Sequence, residues 1–265
     1  MCLADDVAFT IAFDGNIERT GFMVRAILGR NDLRIVSVRA EAAMKNPYGH
    51  SVRLDILARS DEGALIDIEM QRAFHGWGDL SKRMAAYGSM LGARAFKMGE
   101  MYRDADEIIV IFILDDDVAG RGEPRYVYRM MDVKDHTEME GSNLTFVVAN
   151  GSYRDNIESV ESLFYRDLYE RDIGKMRCPE MRAGLEDVKG GEEMIERTYG
   201  ELIQRTMEIF KDEWDKQAEQ KGVIKDKRNI AMRMLKSNKY PISEIATIVD
   251  LPQKEVEKMA SKLGL

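Results

Sequence analysis

The first 171 residues predict an α/β domain with a mixed sheet flanked by helices, and the rest of the chain predicts an all-helical extension. Three observations carry this. The run EIIVIFIL at 107–114 is apolar throughout, which suits a central strand buried on both faces. Strict period-2 alternation brackets an Asp-Glu-Gly turn within residues 51–71. Helical 3.6-residue patterns are interleaved with these strands until about Asn156 and dominate afterwards.

In chain order, residues 16–28 predict a helix with Ile17, Met23, Val24, Ile27 and Leu28 apolar and Gly29 as its stop. A short strand is expected over 34–38. In the hairpin, Val52, Leu54 and Ile56 alternate with Ser51, Arg53 and Asp55. Across the turn, Ile66, Ile68 and Met70 alternate with Asp67, Glu69 and Gln71. Centring the turn on Glu62 sets Asp55 opposite Glu69, Arg53 opposite Gln71 and Leu57 opposite Asp67. Opposed residues share a face, so Asp55, Glu69 and Gln71 converge while the aliphatic set faces the other way. An amphipathic helix follows at 79–96, with Asp79 as N-cap and Leu80, Met84, Tyr87 and Leu91 on one stripe. After the central strand come strands at 126–133 and 144–148, then helices at 158–169 and 192–220.

Residues 226–265 read as a separate three-helix unit. Its helices are expected at 229–235, at 243–249 after Tyr240-Pro241, and from Pro252, whose missing N–H is harmless at a first helical position. The run ISEIATIVDLPQKEVEKMASKL resembles a helix-turn-helix, with Asp250 where such turns often carry Gly. The domain plan is therefore 1–171, a helical connector at 172–225, and the unit at 226–265.

Composition narrows the function classes. A chain of 265 residues with 45% hydrophobic content supports one good-sized core and a small appendage. Cys2 and Cys178 provide no disulfide framework, and the scattered His50, His75 and His136 provide no zinc spacing. No apolar run is long enough to span a bilayer, and the first ten residues lack a signal-peptide pattern, so a cytoplasmic protein is expected. A net charge of −8 argues against non-specific coating of nucleic acid. Local basic clusters remain, at Lys82, Arg83, Arg94 and Lys97 and near the C-terminus at Lys225, Lys227, Arg228, Arg233, Lys236 and Lys239. Each cluster alone reads as a solvated helix face.

The hairpin carries the chemistry. Two facing carboxylates repel unless a positive group lies between them, and a hard divalent cation with oxygen ligands satisfies both. Asp55 is otherwise half of a surface ion pair with Arg53, and Asp67 reads as a solvated hairpin residue. An Asp on one strand with Glu-x-Gln on its partner resembles the PD-(D/E)xK phosphodiesterase pattern. The segment LDILARSDEGALIDIEMQR is similar to the signature of the recombination-promoting nuclease (Rpn) and transposase family of that superfamily. LADDVAF, LSKRMAAYGSML, KMGEMYRDADEIIVIFILDDD and LTFVVANG follow the family's order, over roughly residues 3–171.

The resemblance implies a restriction-endonuclease-like fold and a Mg²⁺-dependent DNA endonuclease, with Mn²⁺ as an alternative metal. It implies Asp55, Glu69 and Gln71 as catalytic residues and Asp55, Glu69 and the Ile68 carbonyl as metal ligands. DNA is the expected partner, touched by Lys82, Arg83, Lys236 and Lys239, and a homodimer is compatible with the long helix. Glu18 on the first long helix has no motif match and stays outside the site. The departures are Gln71 for the superfamily lysine, Thr10 where the family often has lysine, and Gly92 where it often has aspartate. They leave the carboxylate pair intact and favour the competing reading, a catalytically weak or inactive nuclease-fold module that binds DNA or protein.

Overall fold

In the computed structural model, the described residues are 1–44, 52–95, 101–154, 158–191, 227, 230–232, 234–235, 241–249 and 251–262. The chain divides into two compact units, Met1–Gln204 and Arg205–Leu265. Among the described residues, no helix is long and apolar enough to cross a membrane.

The first unit is a mixed six-stranded sheet flanked by helices. Its elements are α1 (Asp6–Phe13), α2 (Ile17–Leu28), β1 (Ile35–Met44), β2 (Val52–Ser60), β3 (Leu65–Gln71), α3 (Trp77–Gly92), β4 (Ile108–Leu114), β5 (Arg125–Tyr128), β6 (Leu144–Asn150), α4 (Val160–Tyr169) and α5 (Pro179–Gly190). The strand order is β1-β2-β3-β4-β6-β5. β1, β2 and β3 form an antiparallel meander, β3, β4 and β6 run parallel, and β5 returns antiparallel at the edge.

The alternation of β3 and β4 divides the core in two. Ile66, Ile68, Met70, Ile109, Ile111 and Ile113 face one buried cluster with residues of α1, α2, α4 and α5. Leu65, Ile108, Val110, Phe112 and Leu114 face the other, under Leu80, Met84, Tyr87 and Leu91 of α3. All seven residues of β4 are buried, as a strand with helices on both sides requires. Leu54 packs in the α3-side cluster, so the strict alternation of β2 does not extend through that position.

Several elements depart from the sequence expectation. α1 is not signalled by periodicity, because Val7, Ala8, Phe9, Ala12 and Phe13 are buried on most sides and leave no polar stripe. α3 starts at Trp77, since the Gly76 carbonyl accepts from both Asp79 and Leu80 at 3.1 Å. Asp79 therefore sits in the first turn instead of capping it. β1 is ten residues long because it pairs along the length of β2. β5 stops at Tyr128, and the chain beyond folds into its own turn, bridged from Met131 to Glu138.

The core also continues past residue 171, where the sequence places the end of the domain. Met176, Cys178, Met181, Leu185 and Val188 belong to the same buried cluster as Phe9, Phe13 and Ile27. The buried Arg19 guanidinium donates to the Glu180 carbonyl at 2.9 Å and pairs with Asp187 at 2.8 Å. α5 is thus an integral wall of the domain, in place of a connector.

In the second unit, α6 (Ile242–Val249) and α7 (Gln253–Lys262) pack with helical residues at 230–232 and 234–235 around Ala231, Leu235, Ile245, Ala246, Val249, Val256 and Ala260. Pro252 stands just before α7, and its carbonyl accepts from Val256 at 3.3 Å. The expected helix at 192–220, Asp250, Lys236 and Lys239 lie outside the described residues.

Candidate functional site

β2 and β3 pair in the expected register, with Ile56 opposite Ile68, Leu57 opposite Asp67, Ala58 opposite Ile66 and Arg59 opposite Leu65. One step beyond the last pair stand Asp55 and Glu69. There, side chains replace the ladder. Glu69 Oε1 accepts the Asp55 N–H and Asp55 Oδ2 accepts the Met70 N–H, both at 2.9 Å. Each carboxylate satisfies a backbone donor on the opposite strand, so the two acids are held together on one face of the sheet.

Asp67 joins them, against the expectation of a solvated residue. It is fully buried, and neither carboxylate oxygen has a hydrogen-bond partner. Position parity had already placed it on the Glu69 face. Only the cover of α3 turned that face inward, so the Asp-x-Glu spacing was the available signal. A buried carboxylate without partners is costly, and burial pushes the Asp67 carboxyl well above its usual range, with the Asp55 charge adding to the effect. Burial likewise holds Glu69 well above its usual range, followed by the charges of Asp67 and Asp55. Asp55 is half-buried and is raised to about 6, chiefly by burial. The Met70 N–H and the Arg53 charge oppose that rise, while Asp6 at the start of α1 adds to it. The acid that α1 and α2 present toward this field is therefore Asp6, whereas Glu18 lines a separate cavity with Asn16, Arg19 and Pro179.

Arg83 faces Glu69 from α3. Arg83 Nη2 lies 3.9 Å from Glu69 Oε2. Its Nη1 donates to Gln71 Oε1, and the guanidinium carbon sits 5.3 Å from the Phe112 ring centroid and 5.7 Å from that of Tyr87. Gln71 donates its own amide to the Ala73 carbonyl. Gln71 therefore links the end of β3 to Arg83. Lys82 is exposed at the neighbouring position of α3, and the structure does not bring it to the carboxylates. Ile68 is in the ladder between Ile56 and Ile111 with its side chain in the opposite cluster.

This donor set fits a hard cation. All the candidate ligands are oxygens, and two of them on Asp67 are orphaned. Among the described residues, no group of three or more His, Cys, Asp and Glu side chains is placed to hold a metal ion.

The sequence model of a protein family described as PD-(D/E)XK nuclease family transposase matches residues 25–148. The matched span runs from the last turn of α2 to β6 and contains Asp55, Asp67, Glu69, Gln71 and Arg83. No curated protein and no solved structure matches the chain.

Proposed function

We propose that this chain is a metal-dependent DNA endonuclease of transposase or recombination type, a reading supported by the match of residues 25–148 to the model described as PD-(D/E)XK nuclease family transposase. The observation that carries the proposal is the convergence of Asp55 and Glu69 on one face of the hairpin, beside the unpartnered Asp67 oxygens. A fold kept only for packing gains nothing from three adjacent acids, two of them buried. When bound there, Mg²⁺, or Mn²⁺ in its place, would supply a water of lowered pKa and polarise a phosphate oxygen.

The residues of the chain do the rest. Asp55 and Glu69 would hold the ion, with the Ile68 carbonyl as a proposed further ligand. Arg83 meets the negative phosphate and balances the charge of Glu69. Gln71 positions Arg83 through its side-chain carbonyl. Phe112 and Tyr87 pack against the Arg83 guanidinium and limit its motion. Lys82, Lys236 and Lys239 are proposed contacts to DNA phosphates away from the reacting bond.

The competing reading is a nuclease-fold module that binds DNA without cleaving it. The absence of a lysine at position 71 favours that reading. One experiment separates the two. Purified protein is incubated with supercoiled plasmid in Mg²⁺, in Mn²⁺ and in EDTA. Relaxation or linearisation in either metal and none in EDTA supports the endonuclease. Binding with no cleavage in any metal supports the module.

A further inference from the structure

The sheet face that carries the acids continues away from them into a basic groove. Cross-strand pairing sets Arg39 opposite Leu57 and Ser37 opposite Arg59. Leu57 is in turn opposite Asp67, and Arg59 is opposite Leu65. The row Arg39–Leu57–Asp67 thus adjoins the row of Asp55 and Glu69, and the row Ser37–Arg59–Leu65 follows it. A cavity of about 310 Å³ lies over these rows, walled by Arg39, Arg59 and, from beyond the end of α3, Arg94, with Leu57, Leu65 and Leu91 among its lining.

The three arginines are not equivalent. Arg59 is held by the Gly63 carbonyl at 3.2 Å and by Asp106 at 3.0 Å. Arg39 and Arg94 are exposed, and among the described residues neither has a hydrogen bond or ion pair. In a chain of net charge −8, acids are plentiful, and leaving two arginines unpaired over one groove keeps its field positive.

We propose that this groove binds the DNA strand that flanks the cleaved bond, with its phosphates on Arg39 and Arg94 and a deoxyribose on the leucines. This rests on the nuclease reading above for the location of the cleaved bond. Neighbouring same-face rows are about 6.6 Å apart, so Arg39 and Arg59 stand one and two rows, about 6.6 and 13 Å along the strands, from the Asp55–Glu69 row. The apolar lining selects DNA over RNA, because a ribose 2′-hydroxyl laid on leucines loses its water and gains no partner.

The test uses the full chain, a fluorescein-labelled DNA duplex of about 20 base pairs and an RNA duplex of the same sequence. Anisotropy is read in EDTA between about 50 and 200 mM salt, and cleavage is read in Mg²⁺. The variants are Arg39→Ala with Arg94→Ala, and Lys134→Ala as a control on the turn beyond β5. For the double variant, two lost phosphate contacts should make the slope of log affinity against log salt shallower by about 1.8. Its KM should rise about tenfold with kcat within about twofold, since these contacts serve ground and transition states alike. Lys134→Ala should match the wild type. Wild-type binding with an unchanged slope in the double variant overturns the groove and leaves the nuclease standing. A shallower slope with no cleavage by the wild type keeps the groove and overturns the nuclease. No DNA binding at all, or equal binding of the RNA duplex, overturns the assignment of DNA to this groove.

Discussion

Asp55 accepts the Met70 N–H through one oxygen, and an asparagine keeps that acceptor while removing the charge. Asp55→Asn should therefore abolish metal-dependent cleavage, by about 10³-fold or more, with the metal-free melting temperature unchanged or higher, because it relieves repulsion among the acids. Asp55→Ala, in contrast, leaves the Met70 N–H without its acceptor and should cost about 1–3 kcal/mol. If Asp55→Asn melted several degrees below the wild type without metal, Asp55 would be holding the fold through its charge. The acids also predict a pH dependence. The carboxyls of Asp67, Glu69 and Asp55 are raised in the folded state, whereas in the unfolded chain they lose their protons near pH 4. Folding stability from these groups is full below about pH 4 and falls as pH rises toward and through the folded values, by up to about 1.4 kcal/mol per pH unit for each carboxyl still protonated. In EDTA, melting temperature should decline as pH rises from about 4 toward and past the Asp55 value of about 6, and millimolar Mg²⁺ should flatten the decline. A flat metal-free profile, or one that Mg²⁺ leaves unchanged, would argue against a charge-starved site.

At the scale of elements, α3 does two jobs. Its inner stripe covers Asp67, and its first turns deliver Arg83 to Glu69. The close approach depends on Gly88, where an added Cβ would lie 2.9 Å and 3.0 Å from atoms of the Phe146 ring and 3.1 Å from Leu144. On helix propensity alone, Gly88→Ala would stabilise by about 1 kcal/mol. Overpacking should reverse that sign, destabilising by about 1–3 kcal/mol and weakening cleavage as α3 lifts from the sheet. Urea denaturation decides it, and a midpoint at or above that of the wild type would mean that Phe146 simply turns aside. The hairpin was legible because turn residues and alternation agree on one register. α1 and Asp67 were not legible, because burial on all sides erases the periodic contrast and because a polar residue under a helix looks in sequence like one facing water.

For the molecule as a whole, the boundary of the first unit matters most. Asp167 is fully buried and accepts the N–H groups of Arg177 and Cys178, each at 2.6 Å. Truncation at residue 171 removes those donors, strips Arg19 of the Glu180 carbonyl and Asp187, and uncovers the cluster around Phe9 and Phe13. Residues 1–171 alone should therefore be insoluble or unfolded, while Met1–Gln204 should melt cooperatively, as the bounds of the first compact unit suggest. Circular dichroism melts of both fragments provide the check. A cooperative melt of 1–171 would show that α5 is dispensable.

The hydrophobic pattern by itself determined the α/β class, the buried central strand and the hairpin register, because these depend on local alternation and turn chemistry that any packing must respect. It also placed Asp55 beside Glu69 through parity alone. Tertiary structure decided what surrounds them. It brought α5 from beyond the expected boundary into the core, chose Arg83 as the cation that faces Glu69, and sealed Asp67 beneath α3. Those outcomes depend on which distant elements share a face, and a carboxyl acquires its altered affinity for protons and metal only when such neighbours remove the water around it.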